Sequence, residues 1–227
     1  MAKKIAVYVE VGSKRTFAGA VDWPGWSRSG RTEQDALGAL AAYGARYAKV
    51  TRSAKETFDP PKSADDFDVV ERVKGGGGTD FGVPGAIPAP DKRAIEGREL
   101  ARLTRLLEAS WATFDSAAKA ARGKKLRTGP RGGGRDVPKM VGHVTDAEGA
   151  YLGMLGARYR RPPGTDDATA VAQIRKAALV ALAARSRGEA VQEGSRPRKL
   201  WEPRYFVRRS AWHALDHAWE IEDRVER

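Results

Sequence analysis

The 227-residue chain, 24.7 kDa with a net charge of +12 and a pI near 10.1, is 41% hydrophobic and 31% charged, which excludes global disorder and leaves room for one large domain or two small ones. Zero cysteines exclude disulfides, thiolate metal ligands and a cysteine nucleophile, so any metal must be held by histidines and carboxylates. The basic balance invites a nucleic-acid partner, but an Ala-, Gly- and Arg-rich bias throughout raises the pI without needing such a site.

In chain order, KKIAVYVEVG alternates around Val7, Val9 and Val11, and RTFAGAVDW repeats the period after Ser13-Lys14, which predicts a β-hairpin. Thr32 is placed to cap a helix carrying Leu37, Leu40, Ala41, Tyr43, Gly44 and Tyr47 at helical spacing. DDFDVVERVKG reads as a third strand with Phe67, Val69 and Val70 facing a core. From residue 75 the pattern stops. The Gly- and Pro-rich run GGGGTDFGVPGAIPAPDK predicts a linker without regular structure over 75–91, which separates an α+β domain at 1–74 from a second domain at 92–227.

That second domain holds four helical segments and no strand. The first covers about 92–122, with Leu103, Leu107, Trp111 and Phe114 on its apolar stripe. The second covers about 136–157, with Asp136 as cap and Pro138 in the first turn; the third covers about 166–186; the fourth opens at Glu202-Pro203. Four amphipathic helices of this length predict an all-α four-helix bundle. The last is apolar on two sides: Phe206, His213, His217 and Ile221 share one sector, and Trp212, Leu215 and Trp219 the other. The second sector needs a cover, either the amino-terminal domain or another copy of the chain in a homodimer.

All three histidines fall on these helices. His213 and His217, four apart in AWHALDHAWEIEDR, point the same way. His143 lies in KMVGHVTDAEGAYLGML, where Ala147 and Ala150 leave space beside it, about 10 Å along the helix from Asp136. Three imidazoles with an open fourth position suit a catalytic metal, one that holds either water or a substrate thiolate. Imidazoles accept several divalent ions; zinc is the leading choice, with nickel, iron or manganese as competitors. Asp216, Glu148 and Glu220 are nearby carboxylates that could orient an imidazole, although a helix carboxylate is more often a solvated charge.

GHVTDAEGAYLGMLG followed by RRSAWHALDHAWEIEDR resembles the DinB/YfiT-like superfamily of metal-binding four-helix bundles, over about residues 92–227. One histidine on the second helix and an H-x-x-x-H pair on the last are matched by His143, His213 and His217. The resemblance implies an up-down-down-up topology and a thiol-dependent S-transferase using mycothiol or bacillithiol, or a related hydrolase. DWPGWSRSGRTEQDALGAL, within about residues 4–50, resembles the HicB-like α+β pattern and implies a fold related to RNA-binding modules. The alternative function is therefore a non-enzymatic regulator whose basic module binds RNA or a partner protein, the metal serving only to stiffen the bundle.

RGKKLRTGPRGGGRD, residues 122–136, places cations on a Gly-rich loop that ends at the second helix, so Arg127, Arg131 and Arg135 are candidates to hold a small anionic substrate at the metal mouth. No apolar run approaches the roughly 20 residues of a membrane span. MAKKIAVYVEVG also lacks an apolar signal region with a cleavage site, so a cytoplasmic protein without a membrane partner is expected.

Overall fold

The computed structural model describes residues 4–129, 134–189 and 200–226. Strands β1 (Ile5–Val11) and β2 (Thr16–Ala20) form the expected antiparallel hairpin, with Val7 opposite Ala20 and Val11 opposite Thr16. A short β3 (Ser27–Gly30) adds to β2, and β4 (Phe67–Lys74) adds parallel to β1, giving the order β3-β2-β1-β4. Both sheet faces are covered, which is why all five positions of β2 are buried.

On one face lie α1 (Glu33–Ala42) and α2 (Gly44–Ser53), packed through Ala36, Leu40, Tyr47 and Val50 onto Val7, Ala18 and Ala20. Thr32 caps α1 as expected, accepting from the Asp35 N–H while Asp35 answers with its carboxylate. One helix was expected here and two are found. The second helix starts at Gly44, where a Cβ would stand 2.9 Å from the Pro61 ring, so the position is held to glycine by the Pro60-Pro61 turn packed on it.

The segment 75–91 differs from the expected irregular linker. It contains α3 (Gly77–Phe81) and reaches a 3-10 turn at Ala89–Lys92. Glu10, fully buried on β1, accepts from Thr79 Oγ1 at 2.5 Å and from the Gly85 and Ala86 N–H groups at 3.0 and 3.1 Å. Three donors compensate the buried carboxylate and tie the segment down. Glycine content signals a chain break in sequence; here it leaves amides free to serve a side chain from the sheet.

Four long helices follow: α4 (Gly97–Ala120), α5 (Val137–Met154), α6 (Asp167–Ser186) and α7 (Pro203–Arg224). Asp136 and Asp166 cap α5 and α6 by accepting from Lys139 N and Thr169 N at 2.9 and 2.8 Å. The helices share a core that includes Leu107, Trp111, Val144, Leu152, Ile174, Leu182 and Phe206. Arg175 of α6 grips Glu148 of α5 with two hydrogen bonds and Asp115 of α4 with a third, and so fixes three helices together.

The sheet rests on α7, which is the cover its second apolar sector required. Trp212 meets Phe17 edge-on at 6.2 Å, Trp219 meets Tyr43 at 5.1 Å, and Leu215 is fully buried in the sheet's own core. Gly25 permits the closest approach: at φ +89° it turns the Pro24 loop onto the helix, where a Cβ would lie 2.8 Å from Leu215 Cδ1.

Candidate metal centre

Asp136 starts α5, and two turns later His143 emerges facing α7. His213 and His217 come from the middle of α7, one turn apart. One nitrogen from each of the three rings lies within 4.8 Å of the others. His143 Nε2 and His213 Nε2 are 3.1 Å apart, and the ring centroids are 4.7 to 5.1 Å apart. Nitrogens sharing one ion at about 2.0–2.1 Å in a tetrahedral site stand roughly 3.3 Å apart, so the first pair is at ligand spacing and the third nitrogen lies within 4.8 Å of both.

The protonation state also suits a ligand set. Burial, the nearby Arg135 charge and His217 hold His143 below the ordinary imidazole range. Burial pushes His213 further down, helped by His217, Arg209 and His143. Neutral rings keep the lone pairs that a metal needs. The rings are less evenly supported on their outer sides. His217 Nδ1 pairs with Glu220 Oε2 at 3.0 Å, which leaves Nε2 for an ion, whereas His213 Nδ1 is buried without a partner.

Glu220 is itself held. Arg224 Nη1 donates to its Oε1 at 2.5 Å, and hydrogen bonding from His217 keeps the Glu220 carboxyl below its usual range. Arg224 also donates to the carbonyls of Arg127 and Arg135, so it joins these two residues to Glu220 beside the histidine cluster. Compared with family models, curated proteins and solved structures, the chain matches none. The site therefore has to be read from its own geometry.

The other expected residues are distributed unevenly. Asp216 binds Arg28 of the sheet at 3.0 Å and Glu148 binds Arg175, so neither supports a ligand imidazole. Arg127 donates to the Asp223 carbonyl at 2.5 Å, and its backbone N–H goes to Arg224 O, so it closes the end of α7. Arg135 is exposed, and its charge reaches both His143 and His213. Arg131 lies outside the described residues. Two arginines were not anticipated as part of the site, Arg209 and Arg224. Their spacing held the signal: Arg209 stands one turn before His213 and Arg224 one turn after Glu220.

No helix among the described residues is long and apolar enough to cross a membrane.

Proposed function

We propose that the chain is a metal-dependent enzyme whose helices α4 to α7 form a DinB-like four-helix bundle, and whose amino-terminal sheet is a HicB-like module built onto α7. The observation that carries this reading is the convergence of His143, His213 and His217 within 4.8 Å. Zinc is the expected ion. Bound there, it would supply Lewis acidity toward a small thiol or water. The protein's own part is to keep two rings neutral by burial, to hold the third through Glu220, and to bring cations to the approach. That set suits thiol S-transfer or hydrolysis on a small anionic substrate.

The test is metal content in purified protein and in each single His→Ala variant, followed by thiol binding to the loaded protein. Stoichiometric metal lost in all three variants, together with saturable thiol affinity, supports the enzyme. Metal retained in every variant overturns the site. Metal binding without thiol affinity removes the S-transferase and leaves hydrolysis or the regulator, in which the ion only stiffens the helices.

A further inference from the structure

Four arginines lie on α7, and three are engaged in several hydrogen bonds each. Arg204 donates to Glu99 and to the Arg93 and Ala94 carbonyls; Arg208 donates to Asp91, Ala20 and Val21; Arg224 donates to Glu220, Arg127 and Arg135. Arg209 is different. It has no hydrogen bond and no ion pair among the described residues, and its Nη1 is sealed from solvent without a partner. What surrounds it is aromatic: its guanidinium carbon is 4.7 Å from the Trp212 ring centroid and 5.5 Å from that of Tyr151.

A guanidinium offers five donors in a planar fork and stays charged at any physiological pH. Ring faces satisfy part of the charge but none of the donors. The residue as a whole is nevertheless part-exposed. It also sits beside the histidines. Arg209 and His213 are neighbours on one face of α7, and the Tyr151 ring that Arg209 meets is 5.6 Å from the His213 ring.

We infer that Arg209 is the anion-recognition residue of the metal centre: it binds the carboxylate or phosphate of a ligand whose other end reaches the three histidines, with Tyr151 and Trp212 flanking the contact. The inference deepens the proposed function and rests on its metal site. It moves to α7 the anion-binding role that was expected of Arg127, Arg131 and Arg135. Arg127 closes a helix end, while Arg209 keeps an uncommitted fork at the histidine cluster.

The experiment uses cobalt-loaded full-length protein and two small thiols, 3-mercaptopropionate and 2-mercaptoethanol, followed by the thiolate-to-cobalt absorption band. Wild type should bind the carboxylate-bearing thiol more tightly. Arg209→Gln should weaken that thiol about tenfold or more, leave 2-mercaptoethanol unchanged, and retain full cobalt. Arg209→Lys, which keeps the charge without the fork, should fall between them. Equal effects on both thiols, or none, overturn the inference.

A metal-free arm separates the two readings. Inorganic phosphate is titrated against tryptophan emission, to which Trp212 beside the guanidinium contributes as one of six tryptophans. Saturable quenching in wild type but not in Arg209→Gln sustains the anion site even if cobalt fails to bind and the metal reading falls. Identical quenching in both proteins, with matched thermal unfolding showing both folded, removes it.

Discussion

Arg208 and Asp91 face each other in a two-pronged ion pair, Nε to Oδ2 at 2.7 Å and Nη2 to Oδ1 at 2.6 Å, with only 7% and 1% of the two residues exposed. Arg208 also donates to the Ala20 and Val21 carbonyls, so one side chain joins β2, the 3-10 turn and α7. Burial alone would disfavour the cation, but Asp91 raises its pKa above the ordinary arginine value. Removing one partner leaves a buried charge uncompensated, which costs about 3–5 kcal/mol. Asp91→Ala should therefore lower the melting temperature by about 10 °C, and Arg208→Met combined with Asp91→Leu should recover part of that loss.

The seam between sheet and helices gives a second expectation. Leu215 is fully buried among residues of the sheet's core, where truncation leaves a cavity. Leu215→Ala should cost about 2–5 kcal/mol in denaturant unfolding, and the emission of neighbouring Trp219 should shift to the red as water gains access.

Support of the metal ligand is testable apart from the ligand itself. Glu220→Gln removes the charge that faces His217 Nδ1 and should weaken metal binding about 10–100-fold in competition with a chelator, with stoichiometric loading still reached at high metal. His217→Ala should not reach full loading. If Glu220→Gln binds metal as tightly as wild type, the contact is a surface ion pair and no more.

The α5 cap predicts a pH dependence of known sign. Hydrogen bonding from the Lys139 N–H holds the Asp136 carboxyl below its usual 3.8. A depressed carboxylate stabilises the fold above the unfolded value and loses that contribution as pH falls through the folded one. Asp136→Ala should thus melt below wild type at pH 7, and the two curves should converge as the pH drops below about 3.8.

The parts legible in sequence were those with a local cause. Alternation gave the hairpin, Thr32, Asp136 and Asp166 marked helix starts, and the spacing of His213 and His217 placed two rings on one face. Two features depend on contacts distant along the chain and had no local sign. The packing of Pro60 and Pro61 on Gly44 at the start of α2 comes from residues well down the chain, and the order in 75–91 is set by Glu10 of β1. Within the site, the choice of Glu220 over Glu148 and Asp216 was illegible for the same reason. All three are helix carboxylates near a histidine, and only the presence of Arg175 and Arg28 elsewhere takes two of them away.

Because α7 supplies Phe206, Val207 and Ile221 to one core and Leu215 and Trp219 to the other, neither core can close on a growing chain until about residue 221 has left the ribosome. At roughly 5–20 residues per second that is about 10–40 s after β1 is made, an interval in which the completed hairpin lacks the cover that α7 supplies. Translation speed and chaperone occupancy should therefore affect the yield of this protein more than they would if its sheet folded without the last helix.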